Sequence, residues 1–167
     1  MEQTTTQFPF KKPSLKLSEA FVKRQLLFEF GKKSLNESID SEVSIKETRV
    51  EMPFIIVDYE FPIYIEGVRH GFVDFIVEYR NRLYFLESKI GAGGFNVFWE
   101  ASKVLAYTKV YNYFNDEQYQ PAILLRYDQI TENIQRAANI LKLELFGVYW
   151  NEDKNRLIIK NVTKRRQ

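Results

Sequence analysis

The sequence has no cysteine and one histidine, His70. Without thiols the chain cannot carry disulfides, an iron–sulfur cluster, a thiolate zinc site or a cysteine nucleophile. A single imidazole likewise excludes a histidine-rich metal site. Long apolar runs are missing too. None approaches the roughly 20 residues that cross a bilayer. The opening stretch MEQTTTQFPFKKP carries no apolar signal core, so a cytoplasmic location is the default expectation. Neither sign of charge prevails: 24 Lys and Arg face 22 Asp and Glu, for a net charge of +2 and a pI near 8.6. Such a balance does not announce a nucleic-acid binder by composition. The basic clusters in FPFKKP, GKK and TKRRQ are small, and on solvated tails such clusters mostly serve solubility.

What is present belongs to a globular chain. Of the 167 residues 45% are hydrophobic and 16% aromatic, enough for one domain, residues 1–167, that buries roughly 70% of its unfolded surface. Residues 1–16 read as a polar, flexible arm. LSEAFVKRQLLFEFGKK predicts a helix with Ser18 as N-cap, a buried stripe through Leu17, Phe21 and Phe28, and closure at Gly31. A loop, SLNESIDSE, follows. From 43 to 66 β-branched and aromatic residues multiply, and Pro53 and Pro62 are expected to break the run into short or edge strands. Gly67 and Gly71 should bracket a turn carrying His70, ahead of a hairpin in GFVDFIVEYRNRLYFLESKI. After the flexible GAGG come a helix over 95–114, a strand AILLRY opened by Pro121, a helix from Thr131 to Leu141, and a hairpin of LFGVYW and RLIIKNV across NEDKN. The order is helix, three strands, helix, strand, helix, two strands, an α/β arrangement around a mixed sheet. There is no internal repeat.

The hairpin poses a chemical question. Alternation places Val73, Phe75, Val77 and Tyr79 on one face of its first strand and Phe72, Asp74, Ile76 and Glu78 on the other. In the second strand Leu83, Phe85, Glu87 and Lys89 share a face. If YRNR closes the hairpin, opposed residue numbers sum to 161, so Asp74 meets Glu87, Ile76 meets Phe85 and Phe72 meets Lys89. Opposed like charges destabilise a sheet by roughly 0.2–1 kcal/mol, and more when partly buried. Lys89 is one neutraliser. A divalent cation is another, because paired carboxylates and a carbonyl are oxygen ligands that Mg²⁺ accepts. The plain alternative is a solvated charge row. Strands that are otherwise apolar on both faces speak against it.

These residues resemble the PD-(D/E)XK nuclease superfamily, in particular its RecB-like branch. Gly71-Phe-Val-Asp74 is similar to the family's Gly-x-x-Asp strand, Glu87-Ser-Lys89 to its Asp/Glu-x-Lys strand, and the helix after GAGG to its Gln-x-x-x-Tyr helix. The last match departs in one place, with Lys103 standing where the branch has Gln in Lys103-Val-Leu-Ala-Tyr107. The histidine that some members carry on the first helix is absent. The resemblance spans residues 15–127 and leaves 128–167 as an addition. In flavour the cysteine-free, Tyr-, Phe- and Lys-rich chain is also similar to small nucleases of archaeal viruses, whose location would be the host cytoplasm.

The resemblance implies a restriction-endonuclease-like αβββαβ core, a central mixed sheet flanked by helices, with a C-terminal helix and β-hairpin added. It implies phosphodiester hydrolysis in double-stranded DNA with Mg²⁺ or Mn²⁺, Asp74, Glu87 and the Ser88 carbonyl being the metal ligands and Lys89 the catalytic lysine. Lys103 and Tyr107 would contact DNA, and two protomers would pair to reach both strands. Glu100 shares their helix face, and Glu19 could point at the metal or simply complement a helix dipole. GAGG lacks the Lys-Ser/Thr of a phosphate loop. His70 reads as an exposed turn residue, and Trp99 and Tyr111 read as core aromatics. Two other functions stay open: a nucleic-acid-binding or assembly protein that keeps this fold without catalysis, and a ligand-binding domain whose charged row is incidental.

Overall fold

A computed structural model describes residues 17–31, 54–91 and 96–163, apart from the side chains of Asn96 and Glu100. The expected arm, the SLNESIDSE loop, Pro53, most of GAGG and the basic residues of TKRRQ lie outside the described residues. Helix α1 (Glu19–Phe30) is followed by strands β1 (Ile55–Ile65), β2 (Val68–Tyr79) and β3 (Arg82–Ser88). Then come helix α2 (Asn96–Phe114), strand β4 (Tyr119–Arg126), a 3₁₀ turn at Tyr127–Gln129, helix α3 (Glu132–Ile140), and strands β5 (Glu144–Asn151) and β6 (Arg156–Asn161). This is the αβββαβ core followed by a helix and a hairpin. Among the described residues no helix is long and apolar enough to cross a membrane.

The strands form one mixed sheet in chain order, β1 to β6. β1, β2 and β3 make an antiparallel meander, β4 and β5 run parallel to β3, and β6 turns back along β5. The segment expected as an addition to the core therefore continues the same sheet. Central strands are apolar on both faces, as helix-covered strands must be. In β4, Ala122 and Leu124 belong to the core under α1, while Ile123 and Leu125 belong to the core under α2 and α3.

Local chemistry sets the helix ends. The Ser18 hydroxyl accepts the Phe21 N–H at 3.1 Å and Thr131 accepts the Ile134 N–H at 3.2 Å, each satisfying a donor that the first turn leaves unpaired. At Gly31 the α1 backbone turns extended, and a Cβ there would stand 2.5 Å from the Leu27 carbonyl oxygen, so only glycine fits.

Several expectations need correction. α1 buries Val22 and Leu26, one turn apart, with Leu17 beneath, whereas Phe28 is 73% exposed. Burying such aliphatic side chains is worth roughly 1.5–3 kcal/mol each, and the sheet offers α1 one contact stripe, which Phe28 does not share. Pro62 does not divide the strand. It lies inside β1, opposite Phe72, and an edge strand tolerates a missing donor. The turn before β2 is Glu66–Gly67, so His70 is an exposed strand residue rather than a turn residue. Trp99 is 83% exposed instead of core, while Tyr111 does pack, edge to face, against Phe61, Phe85 and Tyr119.

Candidate functional site

The β2–β3 hairpin closes as expected. Arg80 and Asn81 have φ of +53° and +61°, the two left-handed residues of a tight turn, and Tyr79 pairs with Arg82, Ile76 with Phe85 and Phe75 with Leu86. Each of these pairs sums to 161. Past Phe75 and Leu86 the main-chain pairing stops and the two acids take it over. The Asp74 N–H donates to Glu87 Oε1 at 3.2 Å, and the Ser88 N–H donates to Asp74 Oδ2 at 2.9 Å. Two carboxylates thus fill the fork where the strands part.

The facing of β2 also turns over here, which corrects the expected alternation. Val73 belongs to the core under α2, but Phe75, two residues on, belongs to the core under α1. Opposite Asp74 on β1, between the pairs Tyr59 with Phe75 and Phe61 with Val73, Glu60 adopts φ +49°. A left-handed residue of this type costs about 1 kcal/mol. At the same level the Asp74 side chain reaches across to β3, where its Oδ2 accepts the Ser88 N–H.

Both acids are withdrawn from water, Asp74 at 7% and Glu87 at 2% exposure. Burial pushes the Glu87 carboxyl above the ordinary carboxylate value, and the neighbouring Asp74 charge pushes it further. The Asp74 N–H and the charges of Lys103 and Lys89 pull it back in part. Around the fork stand three lysines from three elements. Lys89, just past β3, lies 3.9 Å from Glu87 Oε2, and Lys103 comes from α2. Lys23, from α1, donates to Asp74 Oδ1 at 3.1 Å and lies 3.8 Å from Glu19.

Lys23 escaped the sequence reading. Its i,i+4 relation to Glu19 was visible, but not that it would turn to an acid 51 residues away. Glu19 opens α1 and accepts the Ile90 N–H at 2.8 Å. It therefore takes the place that β2 would have occupied beside β3 had the strands not parted. Tyr107 donates from its hydroxyl to the His70 carbonyl at 2.8 Å, tying α2 to β2. That closeness explains Gly71, whose φ is +149° and where a Cβ would stand 2.5 Å from the Tyr107 hydroxyl. The structure thus brings Asp74, Glu87, Ser88, Lys89 and Glu19 to one strand end. It places Lys103 within electrostatic reach and Tyr107 at the start of β2. The side chain of Glu100 lies outside the described residues.

The donor set can be tested against Mg²⁺ or Mn²⁺. Among the described residues no three Asp, Glu, His or Cys side chains gather as a metal cluster, so Glu19 does not complete a triad with the two acids. Mg²⁺ needs none, since it keeps several waters and is held by one or two carboxylates. The Ser88 hydroxyl, buried at the same strand end without a hydrogen-bond partner among the described residues, is a further oxygen with unspent bonding capacity. Hard oxygen donors in a fork of two mutually repelling acids fit such an ion.

No family model matches the chain, and no curated protein matches it. Among solved structures the chain is similar to the crystal structure of a repair endonuclease from Pyrococcus abyssi, at 19% identity and a TM-score of 0.46. The match takes in 80% of this chain and 48% of that one, so this chain spans about half the length of that protein. A likeness this loose says nothing of function, which has to be read from the fork itself.

Proposed function

We propose that this chain is a nuclease that hydrolyses phosphodiester bonds of DNA, with Asp74 and Glu87 holding Mg²⁺ or Mn²⁺ and the Ser88 carbonyl as a third ligand. One observation carries the reading: two buried acids occupy a strand fork in which each accepts a main-chain N–H from the other's strand end, at a cost in like-charge repulsion that a structural role does not require. When bound, the ion would supply Lewis acidity toward the scissile phosphate and acidify a water. The chain's own residues do the rest. Lys89 presents a compact cation beside Glu87, where it can orient a water or meet charge developing on phosphate oxygens. Lys103 presents another from the opposite layer.

The ion pair of Lys23 with Asp74 favours a second reading, in which the fork is already neutralised from within and the protein binds nucleic acid without cutting it. One experiment separates the two. Linear and circular DNA are incubated with the pure protein and Mg²⁺, beside a Glu87→Ala variant. Cleavage by the wild type alone supports the nuclease. Salt-dependent binding with no cleavage by either protein supports the second reading.

A further inference from the structure

The exposure of Trp99 calls for an explanation, because tryptophan is among the more buried residue types on average. Its position supplies one. α2 is the crossover between parallel strands β3 and β4, so it runs antiparallel to them and starts from the carboxyl end of β3, where the charge of Lys103 is felt at Glu87. Val97, Ala101 and Val104 turn that end of the helix into the same core cluster as Phe85 and Val73. Trp99 and Lys103, four residues apart, then share the outward flank, and Tyr107, another turn on, is pinned to the His70 carbonyl. The stripe is therefore fixed at one end by a hydrogen bond and seated by packing along its length. Tyr113 and Phe114 are also exposed, but they lie about 20 Å further along the helix, away from the acids.

An indole face in solvent, one helical turn from a lysine and at the rim of a phosphodiester-cutting fork, has the chemistry of a platform for an unpaired base. The ring stacks the base while the cation meets the adjoining phosphate. We infer that Trp99 and Lys103 bind single-stranded nucleotides next to the scissile phosphate, so the substrate is a single strand, flap or frayed end rather than a continuous duplex. This deepens the proposed nuclease reading and departs from the double-stranded substrate that the family resemblance implies.

Fluorescence tests it directly, since the other indole, Trp150, packs edge to face on Phe21 at 5.7 Å. Wild type, Trp99→Phe and Trp150→Phe are titrated with a single-stranded oligothymidylate and with a blunt duplex hairpin, in EDTA so that nothing is cut. The single strand should quench wild type and Trp150→Phe saturably and leave Trp99→Phe unchanged. Trp99→Ala should lower single-strand affinity about tenfold while duplex affinity stays within about twofold. Lys103→Ala should reduce the salt slope by about one. An unquenched Trp99, or equal losses for both DNAs, overturns the inference. So does sedimentation showing a dimer that Trp99→Ala dissolves, because the face then seats a second copy. Quenching that persists in a protein unable to cut with Mg²⁺ sustains the platform and removes only the nuclease reading.

Discussion

Glu29 and Glu87 are both carboxylates drawn out of water that accept main-chain N–H groups from the sheet, yet their surroundings are opposite. Glu29, on α1, takes the Leu157 N–H at 3.0 and 3.1 Å with its two oxygens and the Gln25 amide at 2.6 Å. Burial raises its carboxyl, while Gln25, Leu157 and the charge of Arg156 all oppose the rise. Glu87 receives one N–H and faces an acid. The Glu29 arrangement satisfies a buried donor and locks α1 to β6, so it is explained by stability alone. The Glu87 arrangement includes a repulsion that a neutral glutamine would relieve without giving up the hydrogen bond. A repulsion retained in this way is what the proposed function accounts for.

The largest break in the comparison should come from activity. Glu87→Gln or Asp74→Asn should lower Mg²⁺-dependent DNA cleavage at least about 100-fold, while Glu29→Gln keeps it within a few-fold. Steady-state cleavage of a labelled oligonucleotide measures both. If Glu29→Gln abolishes cleavage as completely as Glu87→Gln, the distinction between the two carboxylates fails.

Stability should invert the ranking. Glu29→Ala leaves the Leu157 N–H without its acceptor, at a cost of about 1–3 kcal/mol. In EDTA at pH 7, Glu87→Gln should be neutral or stabilising by about 1 kcal/mol, because it removes a buried like-charge neighbour and keeps an oxygen for the Asp74 N–H. Urea midpoints at unchanged slope decide this.

The pH dependence sharpens the same contrast. Glu87 has a folded pKa raised above its ordinary value of 4.5, so the folded state binds its proton more tightly than the unfolded chain. Folding is therefore penalised fully above the raised pKa, and the penalty fades as pH falls through that value toward 4.5. The stabilisation of Glu87→Gln over wild type in EDTA should be greatest near neutrality and shrink on acidification. A gap that widens toward acid would mean that Glu87 is not held as described.

How far the sequence foretold this varies between the two regions. The hairpin register was legible because a two-residue turn and alternating apolar residues leave one pairing, and the Ser18 cap was legible because its side chain acts within three residues. The parting of the strands was not. It is accompanied by a left-handed Glu60 and by a Glu19 that α1 supplies across 71 residues, and no local pattern records either. Phe28 and Trp99 were misplaced for a related reason. An aromatic at helical spacing signals a buried stripe only if it shares the face that the sheet covers, and Phe28 and Trp99 lie on the opposite faces of helices whose Leu26 and Val97 are buried.

The smallest expected effect concerns Lys23, which donates to Asp74 at the fork. On the proposed reading a divalent ion would draw on the Asp74 carboxylate that already holds this ammonium, so the two would compete. Lys23→Met should tighten Mn²⁺ binding several-fold by calorimetry. In EDTA it should cost about 1 kcal/mol of stability, since Asp74 and Glu87 then repel with one cation fewer between α1 and the fork. The two shifts share a cause and should shrink together in Asp74→Asn. If Lys23→Met weakens Mn²⁺ binding, the lysine assists the ion rather than competing with it, for instance by holding Asp74 in place through the bridge to Glu19.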